Sequence, residues 1–256
     1  MTLLKANNVT HYFGGLCAVS DFNLELRRGE LLGIIGPNGA GKTTVFNIIT
    51  GVYRAAKGTI FFDGVAIIGK TPDRIAAMGI ARTFQNIRLF NDLPVLDNIR
   101  IAHYAGANYS PFEALLHIGR YKSEERRIRD HSMELLALFN LDSLAGTTAK
   151  NLPYGQQRRL EIVRALATGP SLLLLDEPAA GMNPREVDQL TDFIQWIREK
   201  FKLTIILIEH QMRLAMGICE RLMVLDFGVV IAEGPPAVIQ KDPAVLEAYL
   251  GEKVPE

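Results

Sequence analysis

Short apolar runs of strand length recur along the chain without polar residues between them. Leu31 to Ile35 lies near the N-terminus, and Leu172 to Leu175, Thr204 to Ile208 and Leu222 to Leu225 lie in the second half. Strands that helices cover on both faces have this composition, because neither face meets water. The pattern therefore predicts an α/β fold around a largely parallel sheet.

Helix boundaries can be located in the second half of the chain. In Asn183-Pro184-Arg185-Glu186 an N-cap residue precedes a proline at the first helical position, the glutamate is placed to complete a capping box, and apolar spacing continues to Phe201. Asp242-Pro243 repeats the start signal, and Gly251 stands where a glycine would end the last helix. Strands and helices are thus predicted to alternate here.

The pattern changes in the middle of the chain. Residues 1–90 contain short β-rich runs punctuated by glycine, whereas from about Asn91 to Leu144 apolar residues recur at helical spacing among charges. The helical spacing is clearest in Ile128, Leu135, Leu136, Leu138 and Phe139. We predict one domain over residues 1–256, with a core of 1–90 and 160–256 and an inserted helical subdomain of 91–159.

Composition limits the classes of protein to consider. Hydrophobic residues make up 48% and charged residues 22%, and the mean hydropathy of +0.11 is slightly apolar. The longest apolar run, Ile75 to Ala81, has seven residues, against about 18 for a spanning helix, so we expect no membrane crossing. With 28 basic and 28 acidic residues the net charge is zero, so we expect no nucleic-acid partner, and an anionic ligand must be held locally.

One segment has the spacing of a phosphate-binding loop. Gly36-Pro37-Asn38-Gly39-Ala40-Gly41-Lys42-Thr43 follows the apolar run that ends at Ile35 and precedes a helix from Thr44 to Thr50. The glycines let backbone N–H groups turn toward phosphate oxygens, and the helix N-terminus presents its positive dipole end. Lys42 adds a charge for the β and γ phosphates, and Thr43 offers a hydroxyl to Mg²⁺. Gly36 to Thr44 is therefore the predicted phosphate site.

Three further candidates stand at the ends of predicted strands. Asp176 and Glu177 follow Leu172 to Leu175, and His210 follows the run that ends at Ile208. Ligands collect at the carboxyl edge of open α/β sheets. Asp176 is suited to hold Mg²⁺, Glu177 to polarise an attacking water as a general base, and His210 to reach the γ phosphate.

In this order along the chain, the motifs resemble those of the ATP-binding cassette (ABC) family, the ATPase subunits of ABC transporters. Two more landmarks carry the likeness: Gln85 in Arg82-Thr83-Phe84-Gln85, and Leu152-Pro153-Tyr154-Gly155-Gln156 before a helix. The resemblance covers nearly the whole chain. It implies a P-loop NTPase core with a mixed or parallel sheet, an N-terminal antiparallel β subdomain and an inserted helical subdomain. It also implies ATP and Mg²⁺ as ligands, with Gln85 touching the metal and water.

The run Leu152 to Gln156 is similar to the family's signature Leu-Ser-Gly-Gly-Gln, with Pro153 and Tyr154 in place of its serine and first glycine. In the family this helix N-terminus meets the γ phosphate of ATP on a second subunit. The resemblance implies this role for Gly155 and Gln156, with one hydrogen bond fewer. We interpret Arg158, Arg159 and Glu161, which follow, as a helix surface that is solvated or paired within the subunit.

The resemblance also implies an adenine contact. Phe13, in His11-Tyr12-Phe13-Gly14, aligns with the aromatic residue that stacks on the base, and Tyr12 could exchange roles with it. Asn183 stands where the family usually carries aspartate, and either residue can cap a helix. Cys17 and Cys219 form no metal or disulfide pattern, which favours small buried side chains in a reducing cytoplasm.

Within the family, three segments look most like the paired ATPases of branched-chain amino acid importers: Gly79 to Phe90, Ala180 to Pro184, and the ending Glu233-Gly234-Pro235 with Ala248 to Gly251. ATPases of urea and lipopolysaccharide transport share many of these sequence features and remain alternatives. The resemblance implies membrane permease subunits, a second ATPase subunit and, indirectly, a solute-binding protein as partners. The location it implies is the cytoplasmic face of the membrane, with a coupling helix docking near Gln85 and Ile87 to Phe90.

Two other classes are compatible with a phosphate loop. A soluble ABC ATPase of translation or DNA maintenance usually duplicates the cassette or carries basic faces, and this chain has one loop and no net charge. A phosphoryl-transferring kinase would leave Gln85, the signature-like run and His210 unexplained. Both are weaker alternatives than the transporter ATPase.

Overall fold

The structure is a computed structural model that describes residues 1–104, 111–116 and 119–250. The chain forms two compact units, one joining Met1–Gln85 to the chain from Ser171 onward, the other spanning Asn86–Pro170. The sequence prediction placed the limits of the insert at 91 and 159. Residue 159 lies inside an unbroken helix, Tyr154–Leu166, which explains why the compact unit extends to Pro170 instead.

The described residues contain ten strands: β1 (Thr2–Phe13), β2 (Leu16–Arg27), β3 (Leu31–Ile35), β4 (Lys57–Phe62), β5 (Val65–Ala66), β6 (Ile80–Arg82), β7 (Leu172–Asp176), β8 (Thr204–Ile208), β9 (Arg221–Asp226) and β10 (Val229–Gly234). In the first unit β1, β2, β4 and β5 form an antiparallel sheet in the order β2-β1-β4-β5. The remaining six form a second sheet in the order β10-β9-β3-β8-β7-β6, in which β10 alone pairs antiparallel. Both predicted sheets are therefore present.

The second sheet places the predicted chemistry on one edge. All residues of β3, β7 and β8 are buried, as expected for strands covered on both faces. The parallel register aligns Ile34 with Ile208 and Ile208 with Asp176, so these strands end at the same level. The phosphate loop, the Asp176-Glu177 pair and the His210 segment therefore leave the sheet side by side.

The helices of the described residues are α1 (Lys42–Ile49), α2 (Pro72–Ala77), α3 (Val95–His103), α4 (Pro111–Leu116), α5 (Tyr121–Leu138), α6 (Tyr154–Leu166), α7 (Pro184–Phe201), α8 (Met212–Ile218), α9 (Pro236–Ile239) and α10 (Pro243–Leu250). The predicted capping box of α7 is present: Asn183 accepts from the amides of Arg185 and Glu186, and Glu186 accepts from the Asn183 amide. Gly251, the predicted helix stop, lies outside the described residues. In the described part of the chain, none of these helices has the length and apolar character needed to span a bilayer.

The second unit is helical, as the spacing predicted. In α5 the apolar positions Ile128, Leu135 and Leu136 are buried, and Phe139 follows them into the core. Sequence analysis left Arg158 and Glu161 either solvated or paired within the subunit, and the structure shows the pairing. They form a fully buried ion pair of 2.7 Å inside this unit, since the face of α6 that carries them is covered.

Candidate active site

The phosphate loop connects β3 to α1 and depends on its glycines. Gly36 has φ of 147°, and a Cβ there would lie 2.0 Å from the carbonyl oxygen of Leu225. Gly41 has φ of 100°, and a Cβ there would lie 2.6 Å from the carbonyl oxygen of Ala18. Larger residues at these two positions would displace neighbouring backbone. The loop conformation is therefore fixed by contacts with β2 and β9.

Lys42 folds back across this loop. Its ammonium donates to the carbonyl oxygens of Gly36 (2.7 Å) and Pro37 (2.9 Å), and the residue is buried. Burial lowers the pKa of Lys42, and the carboxylates of Glu177 and Asp176 partly offset that effect. A phosphate placed in the loop would favour the charged form of this lysine further, because an anion nearby stabilises an ammonium.

Three predicted catalytic side chains meet at one carboxylate oxygen. Gln85 donates from Nε2 to Oε2 of Glu177 at 2.7 Å, and Nδ1 of His210 lies 3.4 Å from the same oxygen. Glu177 has φ of 44°, a left-handed conformation that is costly for a non-glycine residue and that occurs often at functional sites. A carboxylate held in this way, with the Gln85 amide donating to its oxygen, is positioned to accept a proton from water.

Asp176, the predicted metal ligand, has a partner that sequence reasoning missed. Arg82, at the end of β6, donates from Nη2 to Oδ2 of Asp176 at 2.7 Å, and the side chains are 5% and 3% exposed. The other terminal nitrogen of Arg82 donates to Asn47 at 2.7 Å. An arginine closing a strand of a buried sheet was a possible signal, since a buried cation requires an anion.

Glu209 is a second functional candidate that the sequence did not reveal. It is fully buried and follows β8, and its carboxylate accepts from the amides of Ala179, His210 and Gln211 at 2.9, 3.1 and 3.1 Å. Burial raises the pKa of Glu209, and these backbone hydrogen bonds partly offset the rise. Glu209 thereby joins the segment after Glu177 to the segment that carries His210.

The predicted loop residues open onto a cavity of about 660 Å³ within the first unit. Its lining includes the predicted residues Phe13, Asn38, Gly39, Ala40, Gly41, Lys42, Thr43, Thr44, Gln85 and Glu177. Leu16, Cys17, Ala18 and Phe227 also line it and were not predicted. Phe13 is half exposed and packs edge-on against His11 and Tyr53, with ring centres 4.7 and 5.2 Å away.

The prediction that both cysteines are buried is confirmed for Cys219 and wrong for Cys17, which is only partly buried.

A larger cleft of about 740 Å³ lies elsewhere in the same unit. Its lining includes Arg198, Glu220, Arg221 and Glu30, which already form ion pairs with one another. The residues that line it include neither the phosphate loop nor Gln85 and Glu177. We therefore assign the candidate site to the 660 Å³ cavity on the basis of its chemistry.

The residues predicted to hold Mg²⁺ have the chemistry that this ion requires. Thr43 offers a hydroxyl, Asp176 a carboxylate and Gln85 an amide whose Oε1 suits the metal, since its Nε2 donates to Glu177. Mg²⁺ prefers oxygen ligands and usually binds through one or two protein groups plus phosphates and water. Among the described residues no group of three His, Cys, Asp or Glu side chains could hold a metal by itself. The donor set therefore fits a nucleotide-bound Mg²⁺.

The signature-like run opens α6 in the second unit. Pro153 is the N-cap and makes no side-chain capping bond, and Tyr154 is the first helical residue, so Gly155 and Gln156 lie in the first turn. The Gln156 amide donates to the Pro153 carbonyl at 2.9 Å. Tyr154, in place of the family's glycine, is 45% exposed, and its hydroxyl accepts from Arg158 at 3.4 Å. The first turn of α6 therefore has no serine hydroxyl but keeps its backbone amides.

A buried strand leading into a glycine loop, an inward lysine and an Asp-Glu pair at the end of another parallel strand of the same sheet define a P-loop nucleotide hydrolase. The profile of the ABC transporter family matches residues 19–180, and a profile described as branched-chain amino acid ATP-binding cassette transporter matches residues 229–255. The chain belongs to the ABC transporter family and is an ATPase subunit.

Relatives and solved structures agree with this assignment. The chain is 42% identical to the high-affinity branched-chain amino acid transport ATP-binding protein BraF of Pseudomonas aeruginosa and 43% identical to LivG of Escherichia coli K12, with 98% of each chain covered. A crystal structure of the ADP conformation of an ATP-binding cassette of an ABC transporter has a TM-score of 0.85 at 31% identity, covering 98% of this chain and 100% of that one. The fold class and the family that the sequence predicted are confirmed.

Proposed function

We propose that this ATPase powers the uptake of branched-chain amino acids through separate membrane permease subunits. The observation that carries the proposal is the carboxylate of Glu177, which lines one cavity with the phosphate loop, accepts a hydrogen bond from Gln85 and lies 3.4 Å from His210. The match of the C-terminal segment to the branched-chain amino acid family supports this substrate class over urea or lipopolysaccharide. The relatives with this transport function also match over nearly the full chain.

The proposed reaction converts ATP and water to ADP and phosphate. The loop from Gly36 to Thr44, which includes the charged Lys42, holds the phosphates, and Phe13 contacts the base. Thr43, Gln85 and Asp176 would hold Mg²⁺, which would supply positive charge to the phosphate oxygens. Glu177 accepts a proton from water as the water oxygen attacks the γ phosphorus, and the bond to the ADP oxygen breaks. His210 contributes a donor to the γ phosphate.

The proposed working form is a head-to-tail dimer with a second ATPase subunit. In it, Gly155 and Gln156 at the start of α6 face the γ phosphate held by the other subunit. Two observations support this arrangement. Gly155 lies in the first turn of α6, where backbone amides and the positive dipole end of a helix can bind an anion. Gly155 also has open space around it: a Cβ there would meet no atom of the chain within 4 Å.

We expect Gly155→Ala to lower ATP turnover at least tenfold without lowering the melting temperature. Alanine fits the chain itself and is a better helix former, whereas the close approach of a second subunit's phosphate requires an uncovered backbone. Steady-state ATPase activity and thermal unfolding measure the two effects. Gly146→Ala is the matched control, because a Cβ at Gly146 also meets nothing within 4 Å. Equal activities of both variants would contradict the role of Gly155.

A surface in the second unit supports docking on a permease. Phe90 is 47% exposed, and the buried side chain of Asn98 binds both its amide (2.9 Å) and its carbonyl (3.1 Å). The amide of Arg88 donates to Glu161 at 3.1 Å, which ties this segment to α6. An exposed aromatic on a fixed backbone is suited to an interface. The proposed location is accordingly the cytoplasmic face of the membrane, with a solute-binding protein acting from the other side.

Reconstitution tests the transport assignment. The chain is purified with the permease subunits and second ATPase of its transporter, placed in liposomes with ATP inside, and supplied with the cognate binding protein outside. We expect ATP-dependent uptake of labelled leucine, isoleucine or valine and stimulation of hydrolysis by the loaded binding protein. Uptake of urea alone, or hydrolysis that no membrane subunit affects, would overturn the branched-chain assignment.

A further inference from the structure

The hairpin that joins β9 to β10 has an unusual turn. Val229 pairs with Asp226, so the turn consists of Phe227 and Gly228, whose φ angles are 42° and 81°. Two-residue turns with positive φ at both positions are type I′, and they strongly favour Asn-Gly or Asp-Gly. A bulky side chain at the first position is sterically unfavourable. Phe227 is therefore held in a conformation that its residue type does not prefer.

The same chain contains a two-residue turn that follows the rule. In the antiparallel sheet Phe62 pairs with Val65, and the residues between them are Asp63 and Gly64, with φ of 49° and 77°. The two hairpins share one turn geometry, so the difference between Asp-Gly and Phe-Gly does not come from the backbone. The phenylalanine requires another explanation.

Phe227 also exposes its apolar ring. It is 86% exposed, although a phenylalanine gains free energy on burial. Its exposed surface faces the 660 Å³ cavity, which it lines together with Phe13, Leu16 and the phosphate loop. A strained backbone and an exposed aromatic thus coincide at the edge of the candidate active site. Such strain is typical of positions where function determines the residue.

The turn is fixed against the phosphate loop. The amide of Gly228 donates to the carbonyl of Ala40 at 2.9 Å, and the carbonyl of Gly228 accepts from the amide of Ser20 at 2.9 Å. A Cβ at Gly228 would lie 2.7 Å from the carbonyl oxygen of Ala18, so the turn packs directly on β2. Phe227 therefore stands at a defined place beside the loop that takes the phosphates.

We infer that Phe227 is a second aromatic contact for the purine base of the bound nucleotide, in addition to Phe13. The inference rests on the proposed binding of ATP in this cavity. A volume of about 660 Å³ is within the range of small-molecule sites, which combine apolar walls with a few polar groups. The base supplies a flat π surface, and an exposed phenyl ring gains stacking and burial when it covers that surface. The free energy that the phenyl ring gains on nucleotide binding offsets the cost of the strained backbone at Phe227.

Phe227→Asn tests the inference, because asparagine is the residue that the turn itself prefers. We expect the melting temperature of the nucleotide-free protein to stay the same or rise, and Mg²⁺-ADP binding to weaken roughly tenfold, as for loss of one stacking contact. Mg²⁺-tripolyphosphate, which has no base, should bind with unchanged affinity. Phe227→Trp, which keeps an aromatic ring at this position, should bind Mg²⁺-ADP with the affinity of the wild type. Isothermal titration calorimetry and thermal unfolding give both readouts.

Asp63→Phe is the control in the other hairpin: it creates a Phe-Gly turn there and also removes the ion pair of Asp63 with Arg28. We expect it to lower the melting temperature and leave ADP affinity unchanged. Wild-type affinity for ADP in Phe227→Asn would overturn the inference, as would equal weakening of ADP and tripolyphosphate binding. Loss of ATP-dependent dimerisation with normal ADP binding would also overturn it, by assigning Phe227 to a subunit contact. Failure of the wild type to bind ADP would instead contradict the proposed function.

Discussion

Glu177→Gln should bind Mg²⁺-ATP as the wild type does and hydrolyse it roughly 10²–10⁴ times more slowly, the usual contribution of a positioned general base. Glutamine has the size of glutamate and can still accept the hydrogen bond that Gln85 now donates at 2.7 Å. It cannot take a proton from water. The substitution thus removes the base and keeps the geometry around it.

Two measurements separate binding from chemistry in this variant. Equilibrium binding of labelled ATP reports the ground state, and multiple-turnover phosphate release by the reconstituted transporter reports hydrolysis. Glu199→Gln is the control, because Glu199 is an exposed residue of α7 away from the cavity. Retained multiple-turnover hydrolysis in Glu177→Gln, at the rate of the control, would rule out Glu177 as the base.

The sequence was sufficient where a local pattern determines the structure. The apolar runs specify β3, β7, β8 and β9, because strands without polar positions can be stable only inside a covered sheet. Asn183 to Glu186 specify the start of α7, because the capping bonds join residues two and three apart. Glu177 and His210 could be placed together because each follows a strand that ends at the same sheet edge, whereas Gln85 was placed by the family resemblance.

The sequence was insufficient where a partner lies far along the chain. Arg82 and Asp176 are 94 residues apart, and their pairing depends on the register of β6 with β7, which no local signal gives. Glu209 binds the amide of Ala179 through the packing of two loops. In the sequence Phe227 has no feature that separates it from a core phenylalanine, and only its φ angle and exposure distinguish it. Pairings and exposure of this kind follow from the tertiary arrangement.

The buried pair of Arg82 and Asp176 should have the largest effect on stability. Arg82→Met keeps much of the apolar stem and removes the guanidinium, whose central carbon lies 5.4 Å from the ring centre of Phe46 and 4.9 Å from that of Phe84. We expect the free energy of unfolding to fall by ~3–5 kcal/mol, since the carboxylate of Asp176 is left buried without its cation. Urea unfolding of the purified chain, followed by circular dichroism, measures this change.

The double variant Arg82→Met/Asp176→Asn is the control for that prediction. Removing both charges leaves no uncompensated ion, so the double variant should be more stable than Arg82→Met alone. Mg²⁺-ATP should also restore more stability to Arg82→Met than to the double variant, because Mg²⁺ held near Asp176 supplies the missing positive charge. Equal gains in both variants would show that Asp176 does not interact with the metal. The stability of this pair therefore reports on the metal site through unfolding, independently of any measurement of ATP hydrolysis.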